Sequence, residues 1–186
     1  MRAGFHRFLH ILQLLRFPMS EANTPLNVLF LCTHNSARSI LAEALLNDMG
    51  QGRFKAYSAG SSPRDNQQPN PLALQVLRQA GVSVDGLRSK SWDEFAGADA
   101  PRMDLIITVC DNAAGEVCPI WPGHPATAHW GYADPSAGDA PDDVKLEAFR
   151  QTMRLMRRRL ELLVNLPEDR LSKICLQATA RELSSQ

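Results

Sequence analysis

Val28-Leu29-Phe30-Leu31-Cys32-Thr33-His34-Asn35-Ser36-Ala37-Arg38-Ser39, followed by Ile40-Leu41-Ala42-Glu43-Ala44-Leu45-Leu46, decides how this chain is built. The continuous apolar run shows no alternation, so it reads as a strand buried on both faces. It stops at Cys32, and a helix-forming segment begins six residues later at Arg38. A loop joining a buried strand to a helix turns successive N–H groups and the helix N-terminus toward one point, which makes a concave anion site. Arg38 can fork two N–H donors onto a tetrahedral oxyanion. The same positive field favours the thiolate of Cys32. A nucleophile is therefore expected on the floor of an oxyanion cradle made by Thr33, His34, Asn35, Ser36, Ala37, Arg38 and Ser39. Cys-x5-Arg spacing is common by chance and also suits a strand-end cysteine beside a helix-face arginine, so the rest of the chain has to discriminate.

Outward from that stretch, strands and helices alternate. The first helix is expected over 36–48, ended by Gly50 and Gly52, and a second strand over 54–59, stopping at Gly60. Asn70-Pro71 is a helix start, a capping side chain followed by proline in the first turn, and that helix should run to Gly81. Ser91 can cap a short helix over 92–95. Leu105-Ile106-Ile107-Thr108-Val109-Cys110 is a third strand, again an apolar run ending in cysteine, and 126–130 is a short fourth. The longest helix is expected over 142–166. Leu146, Phe149, Met153, Met156, Leu160 and Leu163 step by three and four along it, giving one apolar stripe. The order predicts an α/β fold, a three-layer sandwich around a four-stranded parallel sheet. Ligands of such sheets bind outside the carboxyl ends of the strands, where Cys32, Cys110 and Asp134 all fall.

With 186 residues the chain holds one principal domain. We divide it into an N-terminal extension (1–24), a catalytic domain (25–167) and a polar C-terminal tail (168–186) with some helical signal. Residues 1–18 carry three arginines and no acid, with Phe5, Phe8, Leu9, Leu12 and Leu15 on one helical face. The extension reads either as an amphipathic appendage or as a start-site artefact ahead of Met19, disordered in the folded protein. Twenty basic residues balance twenty acidic ones, so no footprint for nucleic acid or an anionic membrane is present. Arg157-Arg158-Arg159 reads as a solvated helix face. Four cysteines, Cys32, Cys110, Cys118 and Cys175, are too few for a disulfide scaffold. They suit a reducing, cytoplasmic setting in which disulfides are transient. Cys175 sits in no acid, base or partner pattern and reads as a bystander. His124 and His129 flank the fourth strand and should pack or cap.

The motifs together resemble the low-molecular-weight protein tyrosine phosphatase superfamily and, within it, the arsenate reductases. The resemblance covers 27–166. It rests on the Cys32–Ser39 loop, Tyr57-Ser58-Ala59-Gly60, Thr108-Val109-Cys110-Asp111, Cys118-Pro119-Ile120-Trp121-Pro122 and His129-Trp130-Gly131-Tyr132-Ala133-Asp134-Pro135. It implies that Cys32 is the nucleophile, Arg38 the oxyanion clamp, Ser39 a donor to the thiolate and Asn35 the keeper of the loop's shape. Asp134 would be the general acid, and a proton donor in a sheltered loop is expected to have a raised pKa. Two activities share this apparatus. A phosphotyrosine phosphatase needs an aromatic wall, whereas here Ser136-Ala137 follow the Asp-Pro pair. An arsenate reductase needs two further electrons, and the resemblance implies a relay from Cys32 to Cys110 to Cys118 that supplies them. Arsenate is the expected substrate, in a monomer with no bound cofactor. The external reductant is left open between thioredoxin and glutathione–glutaredoxin. One branch of the family binds potassium through Asn, Glu, Ser and Asp; Asn35, Glu43 and Ser58 match three of these, and no metal is assigned.

Overall fold

The computed structural model describes residues 24–109, 126–172 and 174. Strand β1 (Leu26–Cys32) leads into helix α1 (Arg38–Met49), then β2 (Phe54–Gly60) and α2 (Pro71–Gln79). A 3-10 turn (Trp92–Phe95), β3 (Leu105–Thr108), β4 (Ala126–His129) and α3 (Asp142–Val164) follow. The four strands form one parallel sheet in the order β2-β1-β3-β4. The expected four-stranded parallel α/β architecture is therefore present. Strand β3 ends at Thr108, two residues before Cys110, although the Val109 N–H still donates to the Leu31 carbonyl at 2.8 Å.

β1 is central and buried on both faces, which is why its sequence does not alternate. Val28, Phe30 and Cys32 face a core shared with all three helices, while Leu29 and Leu31 face Ala59, Phe95, Met103 and Ile106. The helical layer is thick on one side. Among the described residues, the other side is covered by the 3-10 turn and the chain around Met103. α1 lies under α2 and α3, so burial spreads beyond the expected Ile40, Leu41, Ala44 and Leu45 to include Ser39, Ala42, Glu43 and Leu46. α3 buries Phe149, Thr152, Met156, Leu160 and Leu163; Leu146 and Met153 sit half-buried at the edge of its stripe. The Arg53 guanidinium reaches the end of α3, donating to the carbonyls of Val164 (2.7 Å) and Leu166 (2.9 Å), which satisfies acceptors a helix leaves open. A last helical segment over 168–172 returns Leu171 to the core.

Two caps expected from sequence form as read. The Asn70 side chain accepts from the Leu72 N–H at 2.9 Å and Ser91 caps the 3-10 turn. Residues 1–23, Cys110, Cys118, His124 and Cys175 lie outside the described residues.

The β1–β2 register sets Cys32 beside Gly60. A Cβ at Gly60 would stand 2.8 Å from the Thr33 carbonyl oxygen and 2.9 Å from the His34 carbonyl carbon. Those are backbone atoms, which cannot give way as a flexible side chain can. Gly60→Ala should therefore push the loop off the sheet edge and cost about 1–3 kcal/mol. Urea denaturation and anion-binding titrations should both register the change.

Candidate active site

The loop after β1 is fastened from outside by its carbonyls. Ser61 N–H donates to Cys32 O (3.0 Å), Ser62 N–H to Thr33 O (2.8 Å), Ser89 Oγ to Asn35 O (2.6 Å) and Asn70 N–H to Ser36 O (2.8 Å). In a trans peptide the next N–H points opposite to the carbonyl. The N–H groups of Thr33, His34, Ser36 and Ala37 thus turn away from these anchors. Ala37 precedes α1 and offers no capping side chain, so the first turn of the helix keeps donors for an anion.

Cys32 is buried on the floor, with its Sγ 2.9 Å from Ser39 Oγ. Behind it, Asn35 takes a left-handed conformation (φ 51°) and is fully buried. Its Nδ2 donates to Ser39 Oγ (2.8 Å) and Ser58 Oγ (2.7 Å), and its Oδ1 accepts from the Lys90 N–H (2.7 Å). Ser58 Oγ donates in turn to Glu43 Oε2. Burial raises the Glu43 pKa; Lys90 and the Ser58 hydroxyl oppose this without overcoming it.

Arg38 and Asp134 meet across the bowl. Arg38 Nη1 donates to the Tyr132 carbonyl at 2.8 Å, and Nη2 lies 3.4 Å from Asp134 Oδ2. Asp134 Oδ1 accepts from both the N–H (2.9 Å) and the hydroxyl (2.7 Å) of Ser136. The expectation of a raised Asp134 pKa is corrected here. Burial does push it up, but the two Ser136 bonds, then Arg38 and His34, outweigh that and hold it below the usual carboxylate range. The Tyr132 ring faces inward, buried, with the Arg159 guanidinium 4.8 Å from its centroid. Arg159 lies exposed, as a solvated face requires, and also covers an aromatic ring. His129 Nδ1 is 2.7 Å from Thr108 Oγ1, a packing role as expected.

The bowl opens into a cavity of about 620 Å³ lined by Cys32, His34, Ser36, Ala37 and Arg38, by 64–71, and by Asp134 and Ser136. No aromatic side chain is among these described lining residues. The structure thus brings Cys32, His34, Ser36, Ala37, Arg38 and Asp134 to one cavity; of the other expected cradle residues, Asn35 and Ser39 are buried behind it and Thr33 is not among its lining residues. Sequence reasoning missed Ser136 and the buried Lys90. The first follows Asp134-Pro135 as an ordinary turn residue. The second hides in the polar run Arg88-Ser89-Lys90-Ser91, which reads as solvated loop. Lys90 Nζ lies 3.2 Å from Glu43 Oε2 and 3.1 Å from the Arg88 carbonyl. An ammonium already holds the carboxylate that potassium would need, so the residues present do not fit a bound ion there.

A thiol, a guanidinium and a carboxylate gathered at the carboxyl ends of a parallel sheet define an oxyanion-handling enzyme of the thiol class. The chain belongs to the low molecular weight phosphotyrosine protein phosphatase family, whose model matches residues 27–174. The arsenate reductase of Halalkalibacterium halodurans is 32% identical over 124 residues, covering 67% of this chain and 84% of the relative. A solved arsenate reductase in its phosphate-binding state superposes with a TM-score of 0.59 at 27% identity, over 75% of this chain and 96% of that one. A thioredoxin-dependent arsenate reductase of Corynebacterium glutamicum does so with a TM-score of 0.50 at 27% identity, over 76% and 64%.

A carboxylate held below its ordinary pKa stabilises the fold above the unfolded value, 3.8 for Asp134, and that contribution is lost as pH falls through the folded value. Ser136→Ala removes the hydroxyl bond and leaves the backbone N–H bond in place, and should shift this loss part of the way to higher pH. Carboxyl-carbon NMR titration of Asp134 should show a higher pKa in the variant.

Proposed function

We propose that this chain reduces arsenate to arsenite by thiol chemistry, with Cys32 as nucleophile. The observation that carries the reading is the Cys32 sulfur seated under Ser39 in a bowl of backbone donors, with Arg38 and Asp134 across the opening. The arsenate reductases among its relatives give the substrate. The absence of an aromatic wall among the described lining residues favours a small oxyanion over a phosphotyrosine ring.

The reaction runs as follows. The oxyanion enters the bowl and draws the Arg38 guanidinium onto itself. Asp134 thereby loses a cation and gains an anionic neighbour, and both changes raise its pKa. The carboxyl group can then be protonated and act as an acid. Cys32 attacks arsenic, forming an S–As bond, and one As–O bond breaks as its oxygen takes the Asp134 proton and leaves as water. Cys110 attacks the Cys32 sulfur. An S–S bond forms, the S–As bond breaks, and its electron pair stays on arsenic, which departs as arsenite. Cys110 follows Val109, whose N–H is bonded to the carbonyl of Leu31, next to Cys32. Cys118 then attacks Cys110, releasing Cys32 and leaving a Cys110–Cys118 disulfide for an external dithiol. We assign that dithiol to thioredoxin, on the likeness to a thioredoxin-dependent reductase, and the setting to the reducing cytoplasm.

Cys32→Ser should abolish arsenite formation. Asp134→Asn should lower kcat by roughly 10²–10³. Disulfide mapping by mass spectrometry after one turnover without reductant should find Cys110–Cys118. The same mapping with glutathione present should give the same disulfide; a lone Cys32–glutathione adduct would replace the relay by a glutaredoxin route. Aryl phosphate hydrolysis faster than arsenite production would return the site to phosphatase work.

A further inference from the structure

We propose that Lys90 is a positioning residue for Cys32, the fixed cation behind a buried chain of hydrogen bonds that ends on the sulfur. Lys90 and Glu43 are 6% and 8% exposed. Removing two charges from water is costly unless each is paired and hydrogen-bonded. The ammonium is so placed, 3.2 Å from Glu43 Oε2 and 3.1 Å from the Arg88 carbonyl. Nothing in packing alone calls for a lysine at this depth.

Its location gives the direction of every bond toward the site. Glu43, beside the ammonium, accepts, so Ser58 must donate to it. The Ser58 oxygen is then left to accept from Asn35 Nδ2 at 2.7 Å. The Lys90 N–H fixes which end of that amide is the oxygen, by donating to Oδ1 at 2.7 Å. The same Nδ2 donates to Ser39 Oγ at 2.8 Å. With its lone pair so engaged, Ser39 has its proton free for Cys32 Sγ at 2.9 Å. A hydroxyl that donates favours the thiolate; one that accepts favours the thiol. Lys90 therefore touches the chain twice, through its charge at Glu43 and through its backbone at Asn35, and both contacts drive donation toward sulfur. The ammonium supplies internally the positive charge that a bound cation would otherwise bring to Glu43.

The other charged groups around Cys32 stay in place when Lys90 changes: Arg38, His34 and Asp134 line the cavity, and Arg88 acts on Glu43 from behind.

The inference rests on Cys32 being the nucleophile, and its test uses no arsenate. The pH dependence of iodoacetamide alkylation is followed on the Cys32 peptide by mass spectrometry, in wild type and Lys90→Met. The proposal expects the variant's thiol pKa to rise by at least about one unit, so that alkylation at a pH below the wild-type midpoint slows about tenfold. A folded variant with the wild-type titration overturns it, because a purely structural lysine would change stability and leave the thiol alone. Where the single variant does not fold, Glu43→Gln is added to remove the stranded charge. The neutral pair expects the same rise, and a wild-type titration there overturns the proposal. Exchanging potassium chloride for choline chloride should not move the wild-type titration; a potassium-dependent shift would mean that Lys90 is not the cation. An acidic thiol in a protein that makes no arsenite would defeat the assigned reaction and leave this inference standing.

Discussion

The Asn35 side chain is wholly buried, and its backbone is held at φ 51°, a conformation that costs a non-glycine residue about 1–3 kcal/mol. The loop keeps this shape because the amide makes three hydrogen bonds to separate parts of the chain: Ser39 at the start of α1, Ser58 in β2 and the backbone of Lys90. Those anchors belong to elements that the hydrophobic core already fixes. The turn after β1 is thus determined by packing on three sides. This lets five consecutive residues abandon regular structure without abandoning a single geometry, and it holds the donors in place before an anion arrives. Preorganisation of this kind matters because donors already aimed do not have to be reoriented during reaction.

Charge is arranged in two tiers about the sulfur. In front, Arg38 and Asp134 are paired at 3.4 Å and partly exposed, so the pair is screened and open to exchange. Behind, Lys90 and Glu43 are paired at 3.2 Å and enclosed. The front pair can be broken by an incoming oxyanion at modest cost, whereas the rear pair cannot be broken without leaving a charge stranded in the core. Replaceable charges face the cavity and permanent ones face the core.

The parts of this arrangement that sequence discloses are those governed by local pattern. The apolar run of β1, the Asn70-Pro71 helix start, the Ser91 cap and the stripe on α3 each declare themselves within a few residues, and each forms. The Cys32–Ser39 loop was legible because a strand, a turn and a helix follow one another without interruption. What escaped depends on contacts across the fold. Lys90 is 47 positions from the carboxylate it pairs with, and a polar tetrapeptide around it gives no hint of burial. The expected acidity of Asp134 had the wrong sign for a similar reason. Burial was foreseen, but Ser136 turning back both its N–H and its hydroxyl onto the carboxylate was not.

Tyr132 joins two regions that are distant in the chain. Its carbonyl holds the Arg38 guanidinium, while its ring is sandwiched into the core beneath Arg159 of α3. One residue therefore serves as a rivet between the outer helix and the clamp. The acceptor that holds the guanidinium therefore belongs to a residue anchored against α3, a helix that contributes none of the described cavity-lining residues.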